Sequence, residues 1–157
     1  MVFEADIAGI FIDRQTDEPV VMLKEKEGDR RVPIWIQMGE MFALALHLAG
    51  DTFKPSRPFS HDLIKTIVQN LHVQVRKVLI TDIVDHIYRA QLHLSSQETT
   101  LELDARPSDA IMLALKFEAP IYIDEKVAAK AIPEETSATL ENRLQQLRPE
   151  DFIKFAQ

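Results

Sequence analysis

The stretch Thr99–Ile123, TTLELDARPSDAIMLALKFEAPIYI, decides how this chain is read. Its opening residues alternate, with Leu101, Leu103 and Ala105 apolar and Glu102 and Asp104 acidic, which is the period of a strand with one buried face. Asp104-Ala-Arg-Pro-Ser-Asp109 ends the alternation. From Pro107 to about Phe117 the chain is apolar nearly all round, which predicts a buried helix, and Pro120–Ile123 returns to a strand. Pro107 suits the first helical position, where its missing N–H is no loss. Asp109 falls where a carboxylate stabilises the free N–H groups of a helix start, and Ser108 reads as a solvated residue of that turn.

The segment before it can be phased against it. In IYRAQLHL, Tyr88, Ala90, Leu92 and Leu94 alternate with Ile87, Arg89, Gln91 and His93. Burying one apolar face of the resulting hairpin sets Leu92 opposite Leu103 and Leu94 opposite Leu101. His93 then faces Glu102, and Gln91 faces Asp104, on the polar side. Towards the N-terminus, VFEADIAGIFID, PVVMLKEKE and RRVPIWIQ read as three strands, the last two joined by a Glu-Gly-Asp turn. GEMFALALHLAG predicts a second buried helix from about Glu40 to Ala49, closed by Gly50 in a left-handed conformation. Ser60 is the expected N-cap of the helix HDLIKTIVQNL.

The fold expected is therefore α+β: a mostly antiparallel sheet packed against two buried apolar helices. Residues 1–132 form the body, and residues 133–157 read as an acidic, amphipathic helical extension, docked on the body or on a second subunit. At 157 residues, with 46% hydrophobic and 27% charged side chains, the composition is that of a globular domain with a sizeable core. There are no cysteines, which excludes disulfides, thiolate nucleophiles and cysteine-bound zinc. No apolar run spans a bilayer and the first residues are acidic rather than basic, so a cytoplasmic protein without a membrane partner is expected. The net charge of −7 argues against a large nucleic-acid footprint, but Lys54, Arg57, Lys65, Arg76 and Lys77 stand close together with only Asp62 among them.

Helix initiation accounts for Pro107 and Asp109 and leaves Asp104 and Arg106 over. Arg106 between two acids is either an ion-pair clamp or a site for a phosphate or metal. RPFSHDL repeats the theme, an arginine and proline before an acid at a helix start. If both starts open into one hollow, Arg57, His61 and Arg106 supply positive charge while Asp62, Asp104 and Asp109 supply carboxylates. His61 beside Asp62 has the makings of a general acid or base. Glu40 opens the other buried helix, with helix-start electrostatics as its alternative role. Trp35 and Phe42 read as core. No histidine-rich zinc pattern and no nucleophile elbow is present.

Taken in order, RVPIWIQMGE, RPFSHDL, LDARPSDAIMLAL and APIYIDEKV resemble the bifunctional nuclease domain family over residues 5–132, and LRPEDFIKF resembles the tails of its bacterial members. The resemblance implies phosphodiester hydrolysis of RNA or DNA and a homo-oligomer, with a dimer expected. It supplies no agreed mechanism. The mechanism expected from the residues has Asp104 and Asp109, with Glu40, holding a divalent cation such as Mg²⁺. Arg57 and Arg106 grip phosphate, and His61, oriented by Asp62, moves a proton. A metal-free version uses His61 and the arginines, with RNA attacking through its own 2′-hydroxyl. The alternative is a non-enzymatic binding or regulatory module in which the Asp/Arg clusters clamp helix starts.

Overall fold

A computed structural model describes residues 1–52, 55–131 and 137–156. The deciding stretch folds as read. Strand β6 (Thr100–Ala105) runs into the cap residue Arg106 and helix α3 (Pro107–Phe117), followed by strand β7 (Ile121–Asp124). Glu118 closes α3 in the left-handed region, at φ 53°. Ala110–Ala114 are all buried, because a helix without a polar face has no side to turn to water.

The other strands are β1 (Val2–Asp13), β2 (Glu18–Glu25), β3 (Arg31–Trp35), β4 (Gln74–Val84), β5 (Ile87–Ser95) and β8 (Leu144–Leu147). Among the described residues they form one sheet in the order β3-β2-β1-β7-β4-β5-β6, with β8 also paired to β1. All neighbours are antiparallel except β4 and β7. Strand β1 pairs with β7 through Val2–Ala5 and with β8 through Ile10–Asp13. Between these halves lies an irregularity at Ile7/Gly9, where a Cβ on Gly9 would come within 3.0 Å of Gln146 on β8. A larger residue there would need the end of the Gln146 side chain to give way by a few tenths of an ångström.

Register places Val78, Ile80, Ala90, Leu92, Leu94, Ile121 and Ile123 on one sheet face, and all are buried. Helix α3 packs over β4 and β5, while helix α1 (Met38–Leu48) packs on β2 and on helix α6 (Pro149–Ala156). Helix α2 (Ser60–Asn70) lies against α3, and the short helices α4 (Glu125–Ala131) and α5 (Ser137–Arg143) complete the set. No helix among the described residues is long and apolar enough to cross a membrane.

Three details differ from the sequence reading, and a fourth lies beyond the described residues. The β5–β6 register is the expected one, Leu92 opposite Leu103 and Leu94 opposite Leu101. Yet Leu101 and Leu103 are 50% and 44% exposed, because β6 is the edge strand beyond the helix that covers β4 and β5. Phe59, not Ser60, caps α2; its N–H donates to Asp62 at 3.0 Å, and Ser60 is already helical. The C-terminal extension is not helical throughout, since Leu144–Leu147 joins the sheet as β8 and Phe152 of α6 is completely buried. The expected boundary between residues 132 and 133 lies outside the described residues.

One buried charge fastens this extension. Asp13 has no exposed surface and accepts hydrogen bonds from Gln15 N–H (3.0 Å), Trp35 Nε1 (3.2 Å) and Arg143 Nε (3.2 Å), with Arg143 Nη2 on its other oxygen. Burial alone would raise the Asp13 pKa, but the bonds from Arg143, Gln15 and Trp35 outweigh it and hold the carboxyl below the usual range. Arg143→Met leaves a buried carboxylate short of its cation and costs about 3–5 kcal/mol in a urea titration followed by the single tryptophan, Trp35. A depressed carboxyl stabilises above its unfolded pKa and ceases to as pH falls through its folded one. The gap between wild type and variant therefore narrows below about pH 4.

Candidate active site

Three helix starts meet, and each carries an acid at its third helical position: Glu40 in α1, Asp62 in α2 and Asp109 in α3. Glu40 and Asp62 use it conventionally. Glu40 Oε2 accepts the Gln37 N–H at 2.9 Å, as Asp62 accepts that of Phe59. Asp109 departs from this habit and turns both oxygens towards other side chains. Arg106 Nε donates to Oδ2 at 2.9 Å and Nη2 to Oδ1 at 3.3 Å, while His61 Nε2 bonds Oδ1 at 2.9 Å. Arg106 Nη2 also reaches Glu40 Oε1 at 2.8 Å, and the Ser108 hydroxyl donates to the same oxygen at 2.8 Å.

The result is a continuous chain, Glu40–Arg106–Asp109–His61, with Ser108 bracing one end. Burial works to raise the Asp109 pKa, but the hydrogen bonds and charges of Arg106 and His61 outweigh it, so the carboxyl lies below its ordinary value. Because His61 gives Nε2 to Asp109, Nδ1 is the nitrogen it has left for a substrate. Arg106 and His61 thus place a guanidinium and an imidazole side by side on one carboxylate oxygen.

Hollows flank this chain on two sides. The larger, about 630 Å³, is bordered by Glu40, Arg106 and Ser108 on one wall and by Lys130, Arg143 and Trp35 elsewhere. Its cations are partly committed: Lys130 pairs with Asp82 at 2.7 Å, a contact that with the Ile83 N–H draws the Asp82 carboxyl down to about 2. The smaller, about 320 Å³, lies between α1, α2 and α3 and is lined by His47, His61, Asp62 and Lys116 among others. Trp35 borders the larger hollow rather than the core, and Phe42 meets Phe59 edge to face at 6.4 Å.

The expected residues therefore separate. Glu40, His61, Arg106 and Asp109 come together. Asp62 does not orient His61; it binds Lys116 at 2.7 Å, since neighbouring residues on a helix point about 100° apart. Asp104 stands opposite Gln91 on the sheet face away from α3, so it does not join Glu40 and Asp109. Among the described residues no three His, Asp or Glu side chains are grouped to hold a metal. Glu40 and Asp109 both have oxygens engaged by Arg106, so the expected Mg²⁺ set does not fit a divalent cation in this arrangement. Arg57 is exposed, borders neither hollow and makes no side-chain hydrogen bond or ion pair among the described residues.

Ser108, His47 and Lys116 were not picked out by sequence reasoning as site residues, and Ser108 is buried rather than solvated. A signal for the other two exists. Past Glu40 the only polar side chain of α1 is His47, and past Asp109 the only one of α3 is Lys116, each seven residues on. Seven residues is nearly two full turns, so each pair shares a helix face.

A model of the bifunctional nuclease domain matches residues 21–135. An uncharacterized protein of Mycobacterium tuberculosis is 34% identical over 155 residues, covering 97% of this chain and 92% of that protein. Bifunctional nuclease 1 of Arabidopsis thaliana is 32% identical over 114 residues, and that of Oryza sativa subsp. japonica 29% over 119. This chain spans about a third of those plant proteins, 34% and 35% of their length. The match takes in Glu40, His61, Arg106, Ser108 and Asp109 alike, and the chain belongs to the bifunctional nuclease domain family.

Proposed function

We propose that this chain is a nuclease that cleaves phosphodiester bonds of RNA or DNA at the Arg106–Asp109–His61 cluster. What supports the reading, beside membership of the family, is the single oxygen of Asp109 that receives both Arg106 and His61. A guanidinium grips phosphate oxygens, and an imidazole beside it moves a proton to or from the reacting oxygen. Asp109 fixes the His61 ring through Nε2, and Glu40 with Ser108 fixes Arg106. The larger hollow, with Arg106 on its wall, has the volume of a ligand site and lies where the rest of the strand would run. A divalent ion enters this scheme only by displacing Arg106 from its carboxylates, so no step is assigned to one.

A second reading keeps the same contacts and drops the chemistry. Arg106 does tie α1 to α3, and Asp109 ties α3 to α2, as a clamp in a non-enzymatic binding module would. Cleavage of labelled RNA and DNA oligonucleotides, with and without EDTA, separates the two. His61→Gln lowers kcat/KM about 10²–10⁴-fold under the nuclease reading while the thermal midpoint stays near that of wild type. Wild-type rates in folded His61→Gln would end the proton-transfer role. No cleavage by any purified sample, together with a lowered midpoint in Arg106→Ala, would leave the clamp.

Asp109→Asn removes the carboxylate charge beside Arg106 and leaves one acceptor oxygen where Arg106 and His61 now use two. It is expected to cost about 1–3 kcal/mol by urea titration at neutral pH. Since the native Asp109 carboxyl lies below its ordinary value, this difference is present above the unfolded carboxylate pKa and fades as pH falls through the folded one.

A further inference from the structure

The larger hollow combines a cation with aromatic surface that the scheme above leaves idle. Arg106 and Ser108 bring polar heads to it, while Trp35, Tyr88 and Ile87 bring apolar surface. Both rings have their polar atoms committed elsewhere. Trp35 Nε1 donates to the buried Asp13 at 3.2 Å, and the Tyr88 hydroxyl donates to the Pro33 carbonyl at 2.5 Å. What they offer a ligand is therefore π surface, held in place by those bonds. A ring fixed in this way stacks on a flat ligand without losing further freedom.

Arg106 is brought to the same hollow by way of α1. Trp35 ends β3 two residues before Gln37, the cap of that helix, and Arg106 Nη2 reaches its Glu40 at 2.8 Å. The Arg106 side chain is 60% exposed, and among the described residues its Nη1 makes no hydrogen bond to the protein. The other cations of the hollow, Lys130 and Arg143, are paired with Asp82 and Asp13. Of the two carboxylates that line it, Glu40 is paired with Arg106 and Glu18 is exposed to solvent. A free guanidinium edge with fixed aromatic rings in one hollow matches a phosphate and a flat base joined by a sugar. The volume, about 630 Å³, is in the range of sites for small ligands.

We propose that this hollow takes the nucleobase adjoining the phosphate held by Arg106, stacked on Trp35, so that the substrate is an unpaired strand. The proposal rests on the nuclease reading and names its substrate class. A base inside a duplex has its faces covered by its neighbours and its edge by its partner, and enters a hollow only where the strand is open. Stacking and phosphate contacts are common to RNA and DNA, so both sugars are accepted. Selection is by strandedness and not by the 2′ position.

Trp35 is the single tryptophan, so its fluorescence reads the contact directly. Folded His61→Gln, slow to cut, is titrated with one short sequence as RNA, as DNA, as DNA with abasic positions and as DNA duplex. The two complete single strands are expected to quench Trp35 with similar Kd. The abasic strand and the duplex are expected to bind about 5- to 100-fold more weakly, without the quench. Wild type is expected to cut the four in the same order, an arm that needs no variant. Trp35→Phe and Trp35→Leu both lose the bond to Asp13, so the difference between them reports the ring. On single strands Trp35→Leu is expected to lose about 5- to 100-fold in kcat/KM relative to Trp35→Phe. An unmoved Trp35 signal with a strand bound, or cutting of duplex or abasic DNA at the single-strand rate, overturns the base subsite and leaves the nuclease reading standing. No binding and no cutting of any strand overturns both.

Discussion

The Arg106 guanidinium, held between Glu40 and Asp109, is the constraint on which the site depends. Three helix starts brought together would crowd their unsatisfied N–H groups and the positive ends of their dipoles. An acid at the third position of each relieves this: Glu40, Asp62 and Asp109. Clustered acids then repel one another, and the cation between two of them is what makes the cluster tolerable. Arg106 can act in this way because it caps α3, which fixes its backbone while leaving the side chain free to span both neighbours.

Asp109 is the informative member of that trio. Glu40 and Asp62 fold back on the N–H of their own cap residues, which is the economical use of an acid at this position. Asp109 gives its oxygens to Arg106 and His61 instead. Where local rules are broken within an otherwise consistent structure, function is a frequent reason. The same departure brings a guanidinium and an imidazole together at the seam between two hollows. It also makes the site an assembly of three elements, so a shift of α2 against α3 changes the chemistry before it changes the core.

The C-terminal segment shows how a small number of long-range bonds changes what a sequence means. Leu144–Leu147 has little to mark it as a strand, and β1 supplies the pairing. The Arg143–Asp13 pair just before it, with Trp35 on the same carboxylate, holds the segment in register. A buried pair of this kind is a weak source of net stability and a strong source of uniqueness here, since Asp13 without its partner is left charged in a dry place. Arg143 also borders the larger hollow, which links the anchoring of the tail to the shape of the site.

Much of the fold was legible from local pattern. Alternation in Ile87–Leu94 and Thr100–Ala105 defined the strands, and burying one apolar face was enough to set their register. Pro107, the all-round apolar character of α3 and the acids at helix starts were legible for the same reason, because each depends on neighbours within about four residues. The separation of Glu40, His61, Arg106 and Asp109 from Arg57, Asp62 and Asp104 was decided only by the tertiary structure. Sequence proximity favoured Asp62 as the partner of His61, whereas the angle at which α2 crosses α3 delivers His61 to Asp109 and Asp62 to Lys116. That angle is set by packing between segments far apart in the chain, and no short stretch contains it.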